Sequence, residues 1–200
     1  MKGSLIIILF FILGIAVSLT GIIPWSIVES DVSYYALCLL MFCVGITIGC
    51  DSQVFGKLRK LDPKIMLLPL STVLGTLAGC AVVAWLLPER HLASCLAIGS
   101  GFGYYSLSSI FITEMKGAEL GTIALLANIM REIITLLCAP LLARWFGPLV
   151  PISVGGATSM DTTLPIITRA TGEEFSVISI YHGVVVDFSV PFLVTFFCTL

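Results

Sequence analysis

Glu132, Asp161 and Asp187 are three carboxylates set in stretches otherwise apolar enough for a lipid bilayer, with one cation, Arg131, among them. At the centre of a membrane span an Arg or Asp costs about 2.5–3.5 kcal/mol, while each Leu or Ile contributes only about 0.3–0.6 kcal/mol. Around the run "ALLANIMREIITLLC" (Ala124 to Cys138) the eleven Leu and Ile between Leu120 and Leu142 roughly offset Arg131 and Glu132 and leave little surplus. Those charges must therefore face protein or a wet interior. On a helix Asn128, Arg131, Glu132 and Thr135 follow i, i+3, i+4, i+7 and share one stripe. Ser179, Gly183 and Asp187 form a second stripe, and Pro191 has no N–H for the carbonyl of Asp187, which leaves that oxygen open to a ligand or water. Were Arg131 simply paired with one acid, the set would only lock a bundle together. Three acids exceed one cation, however, and surplus intramembrane carboxylate requires a proton or an external cation, as a cation or proton pathway does. His182 reads as a hydrogen-bonded packing residue.

The elements that position these groups are membrane helices. With 58% hydrophobic and 11% charged residues in a chain of 200, and a mean hydropathy of +1.10, a soluble domain is excluded. Continuous rather than alternating apolarity also excludes an outer-membrane barrel. A net charge of −2 without a basic tail gives nucleic acid no purchase. The seven cysteines form no C-x-x-C pair or Cys/His cluster and read as small core hydrophobes, so no metal and no cofactor is expected. Apolar stretches at 5–23, 33–50, 65–87, 92–113, 120–142, 147–168 and 175–198 predict seven spans, the first retained rather than cleaved.

Two of these stretches are interrupted. "GSGFGYYSLSS" (Gly99 to Ser109) and "VGGATSMDTTLP" (Val154 to Pro165) gather Gly, Ser and Thr at membrane depth. Unwound backbone there needs protein or water to satisfy it, so Gly99, Ser100, Gly101 and Ser106 in one, and Gly155, Gly156, Thr158 and Asp161 in the other, are candidate cavity residues. The alternative is a packing face of small residues. Sliding the chain by 55 positions brings Gly101 onto Gly156, Ile112 onto Ile167, Gly117 onto Gly172, Glu119 onto Glu174 and Glu132 onto Asp187. Interrupted segments at corresponding places in two repeats point to a transporter's binding site. The chain is thus read as all-α, a polytopic transmembrane helix bundle with two interrupted helices and an internal repeat. Residues 1–91 form N-terminal scaffold helices and 92–200 a repeat-containing transport core within one membrane domain. Two crossings per unit would make the repeats parallel.

Basic residues orient the bundle. "KLRKLDPK" carries Lys57, Arg59, Lys60 and Lys64 and is expected in the cytoplasm. Alternation over seven spans then places Lys2, Lys116 and Arg169 inside and Arg90 and Arg144 outside, with the N-terminus in and the C-terminus out.

The stretches "GSGFGYYSLSSIF", "NIMREI" and "GGATSMDTTLPII" resemble the bacterial lysine exporter (LysO) family, a relative of the cation/proton antiporter and bile-acid-transporter superfamily. The resemblance covers residues 30 to 200. It implies a secondary transporter of the inner membrane, not an enzyme, that expels L-lysine and analogues such as thialysine in exchange for protons. The family's pair of membrane-embedded acids corresponds to Glu132 and Asp161. In such a mechanism Glu132 and Asp161 would take substrate ammonium or protons in turn, and N–H groups at the broken helices would receive the carboxylate. Arg131 would either hold Glu132 ionised or meet the substrate carboxylate. Typical family members carry further N-terminal spans, so the resemblance implies a small membrane subunit, a homodimer, or a chain that transports as it stands, beside the lipid bilayer. Competing readings are a sodium/proton antiporter or organic-anion carrier on the same scaffold, a scaffolding membrane subunit, and an intramembrane serine hydrolase using Ser100 with His182. The hydrolase would leave three buried acids unexplained.

Overall fold

The computed structural model describes residues 63–87 and 89–200, together with isolated helical positions between Leu13 and Thr20. The expected spans at 5–23, those positions apart, and 33–50, the cations Lys2, Lys57, Arg59 and Lys60, and Cys38, Cys43 and Cys50 lie outside the described residues. Contacts divide the chain into two units, Met1–Ile46 and Thr47–Leu200. The helices that carry the three acids and both interrupted segments all belong to the second unit.

After a single helical turn at Pro63–Met66, seven helices follow: α1 Leu68–Leu86, α2 Leu92–Gly99, α3 Tyr105–Lys116, α4 Ala118–Phe146, α5 Leu149–Gly155, α6 Leu164–Thr171 and α7 Ser176–Thr199. A 3-10 turn, Gly156–Met160, joins α5 to α6. Pro69 lies in the first turn of α1, where its missing N–H costs nothing. Among the described residues three helical segments have the length and apolarity to cross a membrane, Leu68–Leu86, Ala118–Phe146 and Glu173–Thr199.

The stretches 92–113 and 147–168, expected to cross, fold back instead. At about 1.5 Å per residue, α2 rises about 12 Å and α3 about 18 Å, each well short of a ~30 Å hydrocarbon core. End to end they would carry the chain across, and would set Arg90 and Glu119 on opposite sides. Yet Arg90 Nη2 lies 2.6 Å from Glu119 Oε1, so the chain enters at α2 and leaves at α3 on one face. The end of α7 is on that face too, since the charge of Lys116 reaches Cys198. The second hairpin is shown by its core. Ile152 of α5, Ile167 of α6 and Ile178 of α7 bury one another, with Ile65, Leu68, Leu149 and Phe175 packed against them. Residues that precede α5 and follow α6 thus share one end of the molecule, the end opposite Arg90.

This changes the symmetry. The first hairpin enters from one face and α4 crosses to the other; the second hairpin enters from that other face and α7 crosses back. The two units are inverted rather than parallel. Lys116 consequently shares a face with Arg90, and Arg144, in the last turn of α4, shares the opposite face with Arg169, in the last turn of α6. The alternation expected from seven spans had paired them the other way. Arg90, Lys116 and Arg169 are all exposed. Single cysteines at positions 90 and 116, in a chain stripped of native thiols, should react with an impermeant maleimide from the same side of sealed vesicles, and a cysteine at 169 from the other. Labelling of 90 and 116 from opposite sides would restore the crossing helix.

The hairpins meet tip to tip. Phe102 turns the first tip at φ 44°, followed by Gly103 at 93°, and Gly156 turns the second at 61°. Ala157 N–H donates to the Phe102 carbonyl at 2.9 Å, joining the two tips through backbone. A Cβ on Gly156 would overlap that same carbonyl oxygen.

Candidate functional site

Backbone opened at the tips is satisfied by side chains from the two long helices. From α4, Asn128 Oδ1 accepts from Gly103 N–H at 2.8 Å, and its Nδ2 donates to the carbonyls of Ile98 at 3.2 Å and Ala124 at 2.8 Å. Gly101 is held close to this amide, which a Cβ would strike. From α7, Ser179 Oγ donates to the Ser159 carbonyl at 2.7 Å. Ser159 Oγ shares a 3.1 Å bond with His182 Nδ1, and His182 Nε2 reaches Thr72 Oγ1 of α1 at 2.8 Å. Thr72 continues to Ser153 Oγ at 2.7 Å. Both ring nitrogens of His182 are thereby occupied, in keeping with a packing role. Thr158 Oγ1 donates to the Gly155 carbonyl at 2.9 Å and Ser100 Oγ to that of Leu96 at 2.7 Å. Ser100 and His182 bond to different partners and form no nucleophile–base pair.

Arg131 belongs to this scaffolding and not to an ion pair. Its Nε donates to the Val154 carbonyl at 2.8 Å, Nη2 to that of Ser153 at 3.1 Å and Nη1 to Thr76 Oγ1 at 3.3 Å, with the guanidinium 5.8 Å from the centre of the Phe102 ring. The two carbonyls lie in the last turn of α5, where orphan oxygens and the negative end of the helix dipole favour a cation. Among the described residues the ion pair formed is Arg90–Glu119, both exposed, and the Glu119 carboxylate holds the Arg90 guanidinium above its ordinary proton affinity. The reading in which Arg131 neutralises a buried acid therefore fails among the described residues.

The stripe expected on α4 is thus divided by function. Asn128 and Arg131 serve the hairpin tips, whereas Glu132, one residue and about 100° further round, turns toward the second hairpin. There Glu132 comes within reach of the Thr162 hydroxyl and the field of Asp161. Asp187 on α7 meets the field of Asp161 from the other side. Asp161 at the second tip thus lies within electrostatic reach of both Glu132 on α4 and Asp187 on α7. Glu132 is 6% and Asp187 3% exposed, while Asp161 is exposed and its Oδ1 accepts from Thr162 N–H at 2.5 Å and Thr162 Oγ1 at 3.0 Å.

Tyr104 lies within the field of Asp187 and Asp161, with its hydroxyl against Ser106, and Tyr105 within that of Glu132 and Asp161. These tyrosines and Thr162 were not singled out from the sequence. The signal was present in the YY directly after the first glycine-rich break and the TT directly after Asp161. Of the other residues expected at the site, Gly99 packs on Cys80 of α1, away from the acids, and Gly155 packs under Thr163 and Ile167.

No carboxylate oxygen here is sealed away without a partner, yet Asp187 accepts no hydrogen bond from a described residue. A half-wet cluster of three acids can hold a cation, exchange protons, or do each in turn.

A model of the family described as lysine exporter LysO matches residues 8–198. The chain belongs to the lysine exporter LysO family. It is 33% identical over 186 residues to the lysine exporter LysO of Escherichia coli K12, an alignment covering 93% of this chain and 61% of that protein. It is likewise 33% identical over 173 residues to a putative lysine exporter of Haemophilus influenzae, covering 86% of this chain and 87% of that one. The chain thus spans about three-fifths of the length of the E. coli relative. No solved structure matches. Family membership and the apolar helices together make this a membrane protein of a transporter family.

Proposed function

We propose that this chain is a secondary active transporter that exports L-lysine, and analogues such as thialysine, across the inner membrane in exchange for protons. The observation that carries the reading is the meeting of Glu132, Asp161 and Asp187 at the junction of two inverted units, while Arg131 is engaged with carbonyls. Lysine brings two ammonium groups and one carboxylate, so it suits a site with excess negative charge. Like charges in a low dielectric repel one another, so the cluster is stable when a proton or an ammonium offsets part of its charge. Competition between the two for Glu132 and Asp161, with Asp187 as the third acid, couples one flux to the other.

Residues 92–200 form the transport core in this reading. The N–H groups of Gly101, Gly103 and Gly156 already donate to Ile98, Asn128 and the last turn of α5, so the substrate carboxylate falls to other groups, and the Tyr104 and Tyr105 rings flank the ammonium. Placing the basic segment before α1 in the cytoplasm puts Arg144 and Arg169 inside as well, and Arg90, Lys116 and the C-terminus outside. A second copy of the chain or a small membrane subunit completes the assembly.

The test is uptake of labelled lysine into inverted membrane vesicles whose lumen has been acidified, so that protons leave as lysine enters, with the chain alone and with a co-expressed small membrane partner. Accumulation that collapses on adding a protonophore supports the proposal. Proton-coupled sodium movement with no lysine accumulation under either condition would replace it by the sodium/proton reading.

A further inference from the structure

On the other side of α4 from Glu132, helices α1, α2 and α4 enclose a cavity of about 420 Å³ that reaches from Arg131 toward the face bearing Arg90. Its floor is Arg131 with Asn128, and its walls include Val83, Leu87, Ile98 and Ile123. Small-molecule sites are typically about 300–1,000 Å³, mostly apolar, with a few fixed polar groups. The floor is incompletely satisfied. A guanidinium carries five N–H groups, and three of Arg131's are used, on Val154, Ser153 and Thr76. No carboxylate is among the described residues lining the cavity. A cation with spare donors at the bottom of an apolar shaft is the complement of an anionic head on a hydrocarbon chain. From Leu120 to Arg131 the shaft runs along α4 for about 16 Å, at ~1.5 Å per residue.

We propose that this cavity binds an aliphatic monocarboxylate, its carboxylate on the two spare N–H groups of Arg131 and its chain against the apolar wall. Lysine is disfavoured, because among the described lining residues no carboxylate would pair with its side-chain ammonium. The site is separate from the three acids and stands independently of the transport reading. A water-borne carboxylate and a membrane fatty acid present the same chemistry.

The test uses the full chain in lipid nanodiscs with radiolabelled octanoate, empty nanodiscs giving the background. Saturable binding is expected, competed by unlabelled octanoate and not by octylamine. Arg131→Gln should weaken it on the order of ten-fold or more, the loss of a charge-assisted pair. Arg131 also caps α5, so Ala127→Phe provides a second variant. Ala127 lines the cavity one turn before Arg131, and a ring there, directed toward the helix N-terminus, fills the shaft while Arg131 itself is kept. It should abolish binding while leaving elution volume and melting temperature unchanged. A fatty acid extracted in stoichiometric amount from the purified wild type and absent from the Ala127→Phe protein would mark the membrane as source; octanoate binding with no extracted fatty acid would mark a water-borne one. Equal competition by octylamine, binding unaltered by Ala127→Phe, or neither saturable binding nor extracted fatty acid would overturn the proposal.

Discussion

Glu132→Gln is expected to abolish proton-driven lysine accumulation while the protein still inserts and elutes as the wild type does. The amide preserves shape and volume, so the second hairpin still packs against it, but the charge that opposes Asp161 is gone. Leaving the substrate ammonium without its buried carboxylate partner costs about 3–5 kcal/mol, and at about 1.4 kcal/mol per ten-fold that is about two to three and a half orders of magnitude in substrate binding. Asp161→Asn should fall in the same direction but less far, because Asp161 is exposed and water screens its charge. Asp187→Asn removes the acid on the symmetry-related helix and should lose proton coupling first, seen as lysine exchange that persists without a proton gradient. Transport is read in vesicles and folding by size-exclusion elution. Retained, gradient-sensitive accumulation in Glu132→Gln would remove the acid cluster from the mechanism, whatever the family.

The second large effect is structural. Gly156→Ala should lower stability by about 2–6 kcal/mol, combining a positive-φ penalty of about 1–3 kcal/mol with an overpacking cost of about 1–3 kcal/mol. Gly156 sits at φ 61° and ψ −130°, and a Cβ there would run into the Phe102 carbonyl that accepts from Ala157 N–H. The added methyl would force the hairpin tips apart, so the loss should appear both in melting temperature and in transport. Gly75 is the control. It lies within α1 with open space where its Cβ would be, and Gly to Ala inside a helix is favourable by about 0.5–1 kcal/mol. If Gly156→Ala melts as Gly75→Ala does, the tip-to-tip junction is not what holds the two units together.

Much of this was legible in residue types alone. Apolar runs specified helices, and clusters of Gly, Ser and Thr marked both places where helix gives way, at Gly99–Gly103 and Gly155–Met160. The 55-residue shift aligned α2, α3 and α4 with α5, α6 and α7 and paired Glu132 with Asp187 across the two units. The helical period put Glu132 on an inward stripe. It could not separate Glu132 from Arg131, because both lie within one apolar-facing sector and only the neighbours on either side distinguish them.

By itself, then, the sequence determined an all-helical membrane protein with two broken segments, an internal repeat and more intramembrane acids than cations, since these follow from hydropathy, glycine content and spacing along one chain. The tertiary structure decided that each broken segment turns back instead of crossing, that the repeats are inverted, and that Arg131 caps α5. A chain that pauses in mid-membrane and one that reverses there make the same local demands: a residue free to adopt positive φ and polar groups for unpaired backbone. What separates them is which distant residues meet, here Arg90 with Glu119 and Ile152 with Ile167, and such meetings depend on contacts between segments that no local pattern encodes.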